Sequence, residues 1–258
     1  MTANTPLPGT DTDTGGTRFV LLNTSHHGNV GATARAMKVM GFSDLVLVQP
    51  RFDDVLSHED TVAMASGAAD ILVRARIVGS LVEALDDITH AIATAMTPRD
   101  FGPPTRAPRD LLPGLAAAVA AEGVAERQRV AFVFGSERFG MRNEDVWRCH
   151  ACLSIPTHPD YGSLNLAQAV QLIAYDWRMA LGGYPVRART AEPVLADGVE
   201  VAGALQHWQA VLEQIGFLDP AAPKRLMPRL QQLLNRAQLT REELHILRGI
   251  ARAVSKPR

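Results

Sequence analysis

The sequence is poor in cysteine, in long apolar runs and in the glycine patterns of nucleotide loops. Cys149 and Cys152 are the only 2 cysteines in 258 residues. That is too few for a disulfide scaffold and fits a reduced, cytoplasmic compartment. Their Cys-His-Ala-Cys spacing is that of a redox or metal pair. No second pair and no histidines at ligand spacing accompany it, so no metal is expected there. Two half-buried thiols near a helix-to-strand turn are expected instead. No apolar run approaches the ~18–20 residues of a bilayer-crossing helix, so no membrane partner is expected. The N-terminus lacks the basic-then-apolar pattern of an export signal. No G-x-G-x-x-G follows a strand and no G-x-x-x-x-G-K-[ST] occurs, which leaves Rossmann and P-loop sites unsupported.

What is present is ordinary for a soluble domain: 47% apolar and 21% charged residues, with a net charge of −1. Residues 1–16, rich in Thr, Asn, Pro, Gly and Asp, cannot bury enough apolar area to order themselves and read as a disordered tail. From Arg18, short apolar runs (Phe19–Leu22, Leu45–Val48, Ile88–Ala95, Val130–Phe134, Leu153–Ile155) alternate with helical stretches near 29–41, 59–69, 80–86, 110–122 and 143–149. Strands alternating with helices imply an α/β fold, a parallel sheet with helices on both faces. Segment 164–181 reads as a long helix with two apolar stripes, Leu166/Val170/Ile173/Trp177 and Ala167/Ala174/Leu181. A narrower polar stripe carries Gln168, Gln171, Tyr175 and Arg178. Such a helix wants burial on two sides, either within its own core or against a second subunit. Residues 17–183 thus form one domain, 184–198 a linker, and 199–258 a small all-helical C-terminal domain opened late by the capping-box pattern Thr240-Arg-Glu-Glu243. From Pro220 on there are 9 basic residues and only 2 acids, Glu242 and Glu243, a basic patch.

Three loops could form a site. The first, Asn23 to Lys38, follows a strand and opens a helix; Gly28 and Gly31 permit close approach, and Gly31, Arg35 and Lys38 share one face, suited to an RNA phosphate or ribose. The second, Phe132-Val-Phe-Gly-Ser-Glu-Arg-Phe-Gly140, places Glu137 just past a strand's carboxyl end, where parallel sheets bind ligands. The third, Ile155 to Ala167, runs into the long helix; Ser163 can cap it. Asn165 is an amide that needs a specific partner, because burying it unbonded costs about 1–3 kcal/mol.

Together and in this order, the loops resemble the three motifs of the SPOUT RNA 2′-O-methyltransferases: Asn29 with Arg35, Glu137 within Gly-Ser-Glu-Arg-Phe-Gly, and Ser163-Leu-Asn165. Thr24-Ser-His, Ala34-Arg-Ala-Met-Lys38, Ile173-Ala-Tyr175 and the C-terminal Leu244-His-Ile-Leu-Arg-Gly-Ile250 resemble the TrmJ type within that family. The resemblance covers about residues 18–183 and 205–254. It implies a trefoil-knotted sheet, S-adenosyl-L-methionine held by Thr94, Ala95, Met96, Gly135, Ile155, Ser163 and Leu164, and a homodimer with each site at its interface. It further implies methylation of ribose 32 in the tRNA anticodon loop. Arg35, Asn29, Glu137, Ser163 and Asn165 are the implied catalytic set. A guanidinium scarcely deprotonates, so Arg35 is read as orienting the ribose and lowering its hydroxyl pKa by charge.

Arg35, Lys38, Arg241, Arg248 and Arg252 are the expected RNA contacts, with Arg99, Arg106 and Arg109 as a further candidate grip. Alternatives are a related methyltransferase acting on ribosomal RNA or another tRNA position, and a catalytically silent RNA-binding protein of the same fold.

Overall fold

The computed structural model describes residues 16–95, 102–121, 128–186 and 190–256. The expected tail lies outside them except for Gly16, whose carbonyl accepts the Val130 N–H at 2.6 Å. The chain divides into two compact units, residues 1–185 and 186–258.

In the first unit the order is β1 (Thr17–Leu22), α1 (His27–Val39), β2 (Asp44–Val48), α2 (Glu59–Ala65), α3 (Ala69–Arg74), β3 (Arg76–Val78), α4 (Leu81–Ala84), β4 (His90–Thr94), β5 (Thr105–Arg106), α5 (Pro108–Val119), β6 (Val130–Phe134), α6 (Asn143–Trp147), β7 (Ala151–Leu153) and α7 (Leu166–Ala180). The strands form one seven-stranded sheet in the order β3-β2-β1-β6-β4-β7-β5, with every neighbouring pair parallel. All strands therefore end at the same edge, and that edge gathers the loops singled out in the sequence.

Alternating side chains build two cores of different character, because a strand points successive residues to opposite faces. Phe19, Leu21, Leu45, Leu47, Phe132 and Phe134 face one core, filled by Val30 and Met37 of α1, Leu112 of α5 and Val170, Ile173 and Trp177 of α7. Val20, Val46, Ala91, Ala93, Ala131 and Val133 face the other, closed by the short α4 and α6 through Leu81, Ala84 and Val146. Bulky strand residues meet long helices; small ones meet short helices lying close. Trp177 anchors the first core: its ring meets Phe132 edge-on at 5.6 Å, and its Nε1–H donates to Thr17 Oγ1 at 2.9 Å. Truncating such a side chain costs about 3–5 kcal/mol.

Helix α7 corrects two expectations. Its N-cap is Asn165, not Ser163: the Asn165 side chain accepts the Ala167 and Gln168 N–H groups, and Gln168 returns a bond to the Asn165 N–H. Arg178 does not belong to a polar stripe. It is buried, donates from Nε to the Met40 carbonyl at 2.7 Å, and lies between the rings of Phe42 and Tyr184 at 4.8 and 4.7 Å. The exposed stripe instead carries Leu164, Gln168, Leu172, Tyr175 and Met179, an apolar face with few polar groups.

At the amino edge of the sheet, Arg18 is 3% exposed. Its Nε donates to Asp44 at 2.8 Å, and its Nη1 donates to the Ala84 carbonyl and to Asp87, both at 2.7 Å. Arg129 joins through Asp87 at 2.7 Å. Burial opposes the Arg18 charge, but the bonds it donates to Asp87 and Asp44 outweigh it and raise its pKa.

The second unit holds α8 (Gly198–Gln214), α9 (Leu226–Ala237) and α10 (Arg241–Val254), started by capping boxes at Asp197 and Thr240 for α8 and α10. Ala204, Leu205, Leu212, Leu234, Leu244 and Ala251 form its interior. Two of the three arginines expected to grip RNA have partners inside the unit. Arg241 pairs with Glu200 at 3.1 Å. Arg248 is half-buried, reaches the Glu200 carbonyl at 3.5 Å, and packs its guanidinium so tightly over Gly203 that a Cβ there would collide with it. Arg252 is exposed.

Candidate functional site

At the carboxyl edge, the three loops meet through one carboxylate and two amides. Glu137, in the turn after β6, accepts four hydrogen bonds from the first loop: from Thr24 Oγ1 at 3.0 Å, from the Ser25 N–H and Oγ at 3.0 Å each, and from Asn29 Nδ2 at 2.9 Å. Asn29 Oδ1 in turn accepts Asn165 Nδ2 at 2.8 Å. Asn165 Oδ1 accepts the Ala167 N–H at 2.9 Å at the start of α7.

The direction of this chain of bonds is fixed by its ends. The α7 backbone offers only N–H groups, so Asn165 must turn its oxygen to them and its NH₂ to Asn29. Asn29 must then turn its own NH₂ to Glu137, which can only accept when ionised. Burial opposes the Glu137 charge, but the bonds from Asn29, its own backbone N–H, Ser25 and Thr24 outweigh it and hold the carboxyl below the usual carboxylate range. Thr24 is wholly buried and Asn29 is 8% exposed; both need these bonds, since an unmet buried polar group costs about 1–3 kcal/mol.

Beside this network opens a cavity of about 370 Å³. Thr94 at the end of β4 and Ala95 after it, Gly135 after β6, and Ile155, Ser163 and Leu164 of the third loop all line it. Met96 lies outside the described residues. Glu137 and Ser136 form one wall, and Phe134, Leu153 and Leu166 supply apolar surface. Gly135 is required here: a Cβ would collide with the backbone of Gly140 and Met141, where the loop folds back on the strand end.

Thr24 and Ser25 were missed as site residues. Their signal was a hydroxyl pair directly after a buried strand. Arg35 is not part of the network: it is exposed and makes no hydrogen bond or ion pair among the described residues. Helix geometry explains this, because six residues carry Arg35 about 600° around and ~9 Å along α1 from Asn29. Lys38, grouped with it in the sequence, is held by Asp70 at 2.6 Å and the Gly67 carbonyl at 2.8 Å. Gly31 serves packing: a Cβ there would strike the Thr61 carbonyl of α2. Of the further basic loop, Arg109 pairs with Asp176 at 3.2 Å, Arg106 is exposed, and Arg99 lies outside the described residues.

Cys149 and Cys152 are buried rather than half-buried, at 6% and 1% exposure. Burial, then Cys152 and Asp145, push the Cys149 thiol up to about 12, far from a reactive thiolate. His27, Asp54 and His58 bring possible ligand atoms within 4.8 Å of one another. The two imidazoles stack at 3.7 Å and 18°, so their in-plane lone pairs do not converge on one point.

The model of the SpoU rRNA Methylase family matches residues 16–175, and that of the tRNA methyltransferase TrmJ C-terminal domain matches residues 199–258. The tRNA (cytidine/uridine/adenosine-2′-O-)-methyltransferase TrmJ of Pseudomonas aeruginosa is 42% identical over 93% of each chain. The tRNA (cytidine/uridine-2′-O-)-methyltransferase TrmJ of Photorhabdus laumondii is 41% identical over 93% of this chain and 96% of its own. The crystal structure of TrmJ from Z. mobilis superposes with a TM-score of 0.73 at 30% identity, covering 93% of this chain and 99% of that one. With the three motif loops joined at one edge of a parallel sheet and both family models matched, the chain belongs to the TrmJ branch of the SpoU methylase family.

Proposed function

We propose that this protein transfers a methyl group from S-adenosyl-L-methionine to the ribose 2′-hydroxyl of a tRNA pyrimidine, at nucleotide 32 of the anticodon loop. The observation that carries it is the Glu137–Asn29–Asn165 chain of bonds standing at the wall of the cavity. A cavity of about 370 Å³ falls within the ~300–1,000 Å³ of small-molecule sites. Its apolar walls and the strand-end backbone at Thr94, Ala95 and Gly135 suit a flat base and its polar edge. Bound there, the cofactor supplies an electrophilic methyl on a sulfonium, so the protein's share is positioning and charge.

The network performs the positioning. Glu137, ionised and fully bonded, fixes the first loop against the second, and Asn165 ties both to the third. The three loops cannot then shift independently. The ribose hydroxyl must shed its proton as its oxygen takes the methyl, and a fixed cation nearby lowers the cost of that charge. Arg35 is the candidate cation. It stands on the outer face of α1, which packs beside α7, and the exposed stripe Leu164, Leu172, Tyr175 and Met179 runs along α7. A second copy covering that stripe and extending over the outer face of α1 would meet Arg35, giving a homodimer whose site draws on both subunits.

Incubation with labelled cofactor and total tRNA, followed by nucleoside mapping, tests the reading. Label in 2′-O-methylcytidine or 2′-O-methyluridine at position 32 is expected. Label on a base, or in ribosomal RNA instead of tRNA, refutes it.

A further inference from the structure

A second cavity, of about 260 Å³, lies beside the first and is lined by Asn23, Ser25, Gln49, Arg51, Arg138 and Phe139, with Ser136. Its floor is firmly built. Asn23 and Gln49 adopt left-handed turns (φ 48° and 44°) at the carboxyl ends of β1 and β2. The Asn23 N–H donates to Val48 O at 2.9 Å, the Gln49 N–H to Val78 O at 3.1 Å and the Arg51 N–H to Thr24 O at 2.9 Å. The Asn23 amide also donates to Gln49 O at 3.2 Å, and the Gln49 amide to Gly79 O at 2.8 Å.

The groups facing into it have no such obligations. Neither guanidinium, Arg51 or Arg138, has an acidic partner among the described residues; each rests only near an adjacent ring, Phe52 at 5.4 Å and Phe139 at 5.5 Å. No carboxylate lines the cavity. Phe139 is 82% exposed, an aromatic face offered to solvent. Two free cations and an open ring on a rigid floor match a phosphate and a base. The volume suits one nucleotide rather than a helix. Ser136, Arg138 and Phe139 line both cavities, and Ser25 binds Glu137, so the two sites share a wall.

We propose that this second cavity holds the nucleotide next to the methylated one, with its phosphate on Arg51 and Arg138 and its base stacked on Phe139. The inference rests on the reading of the first cavity as the methyl-transfer site. It makes the Arg51–Phe139 cavity a determinant of which RNA segment enters, separate from cofactor binding.

The experiment uses the full chain, an unmodified tRNA transcript, and two further transcripts with an abasic nucleotide on either side of the target. Arg51→Ala is expected to raise the KM for the transcript about tenfold, the effect of one charge-assisted contact, with cofactor affinity by calorimetry unchanged. One of the two abasic transcripts is expected to bind the wild-type chain about tenfold more weakly, and to lose nothing further against Phe139→Leu. An unchanged KM in Arg51→Ala, a parallel fall in its cofactor affinity, or equal abasic penalties in wild type and Phe139→Leu overturns the inference while the methylation reading stands. Failure of the wild-type chain to methylate the intact transcript overturns both.

Discussion

The two edges of the sheet handle charge in opposite ways. At the amino edge, Arg18 is buried among Asp44, Asp87 and a backbone carbonyl, and the cluster binds only itself. At the carboxyl edge, Glu137 is bound by hydroxyls, a backbone N–H and an amide, none of them charged. An ion-pair cluster neutralises itself and leaves little field for a ligand. A carboxylate bound only by neutral donors keeps its charge, fixes its neighbours, and stays electrostatically available. The first arrangement suits folding and the second suits the site proposed above, and the backbone direction of a parallel sheet separates them by the length of a strand.

Substitutions can break that contrast. Arg18→Ala removes the guanidinium that Asp44 and Asp87 share, leaving them only Arg129, and is expected to cost about 1–3 kcal/mol of stability, seen as a drop in melting temperature. If it melts like wild type, the amino-edge cluster is not structural. Glu137→Gln sets an amide NH₂ against donors that now lack an acceptor. Methyl transfer is expected to fall about 10²–10³-fold, the loss of a preorganised charge arrangement, with a smaller change in melting temperature than Arg18→Ala. The reverse ranking would dissolve the distinction between the edges.

A mixing experiment sharpens the comparison. If the site is shared across the proposed homodimer, Arg35→Ala and Glu137→Gln chains, each inactive alone, are expected on co-refolding to regain about a quarter of wild-type activity, since random pairing gives one intact composite site in half the dimers. No recovery would place Arg35 and Glu137 in the same subunit's site. Acid provides a milder probe. Glu137 and Asp87 both have depressed carboxyl pKa values; for Asp87, burial is outweighed by Arg18 and Arg129. Their contribution is present above the ordinary carboxylate range near ~4 and is lost as pH falls through the lower folded values. Melting temperature should hold from neutral pH to about 5 and decline below about 4, and Glu137→Gln should narrow the decline. The smallest expected effect is Arg252→Ala, a loss of about two- to threefold in tRNA affinity that fades with added salt, measurable by filter binding.

Much of this was legible in the chain. β6 is an unbroken apolar run and β1, β2 and β4 are built around apolar runs of three to four residues, because both their faces are covered, and runs of that kind announce themselves. β3 and β5, at the sheet's edges and only three and two residues long, carry no such pattern and were not seen; β7 was displaced by two residues, toward the loop that follows it. The expected helix 59–69 breaks at Ser66, whose φ is 52°, and resumes as α3. Nothing in the sequence dictates the strand order that brings β6 beside both β1 and β4. The motif residues were found by their chemistry and order. Their bonds were not, because which amide meets which carboxylate depends on pairing distant in sequence: Asn29 and Glu137 are separated by 108 positions, Asn29 and Asn165 by 136. The inward-turned Arg178 and Arg248 show the limit of charge patterning, since a guanidinium over aromatic rings or glycine reads like any solvated arginine.

Asn165 has two employments: its oxygen begins α7, and its nitrogen holds Asn29. A descendant that lost the chemistry would still keep this amide for the sake of its longest first-unit helix. Its presence in a relative therefore testifies to ancestry rather than to turnover. Arg35 makes no hydrogen bond or ion pair among the described residues, so if it is the cation proposed above, it is the residue whose disappearance among cousins of this protein would mark a retired enzyme.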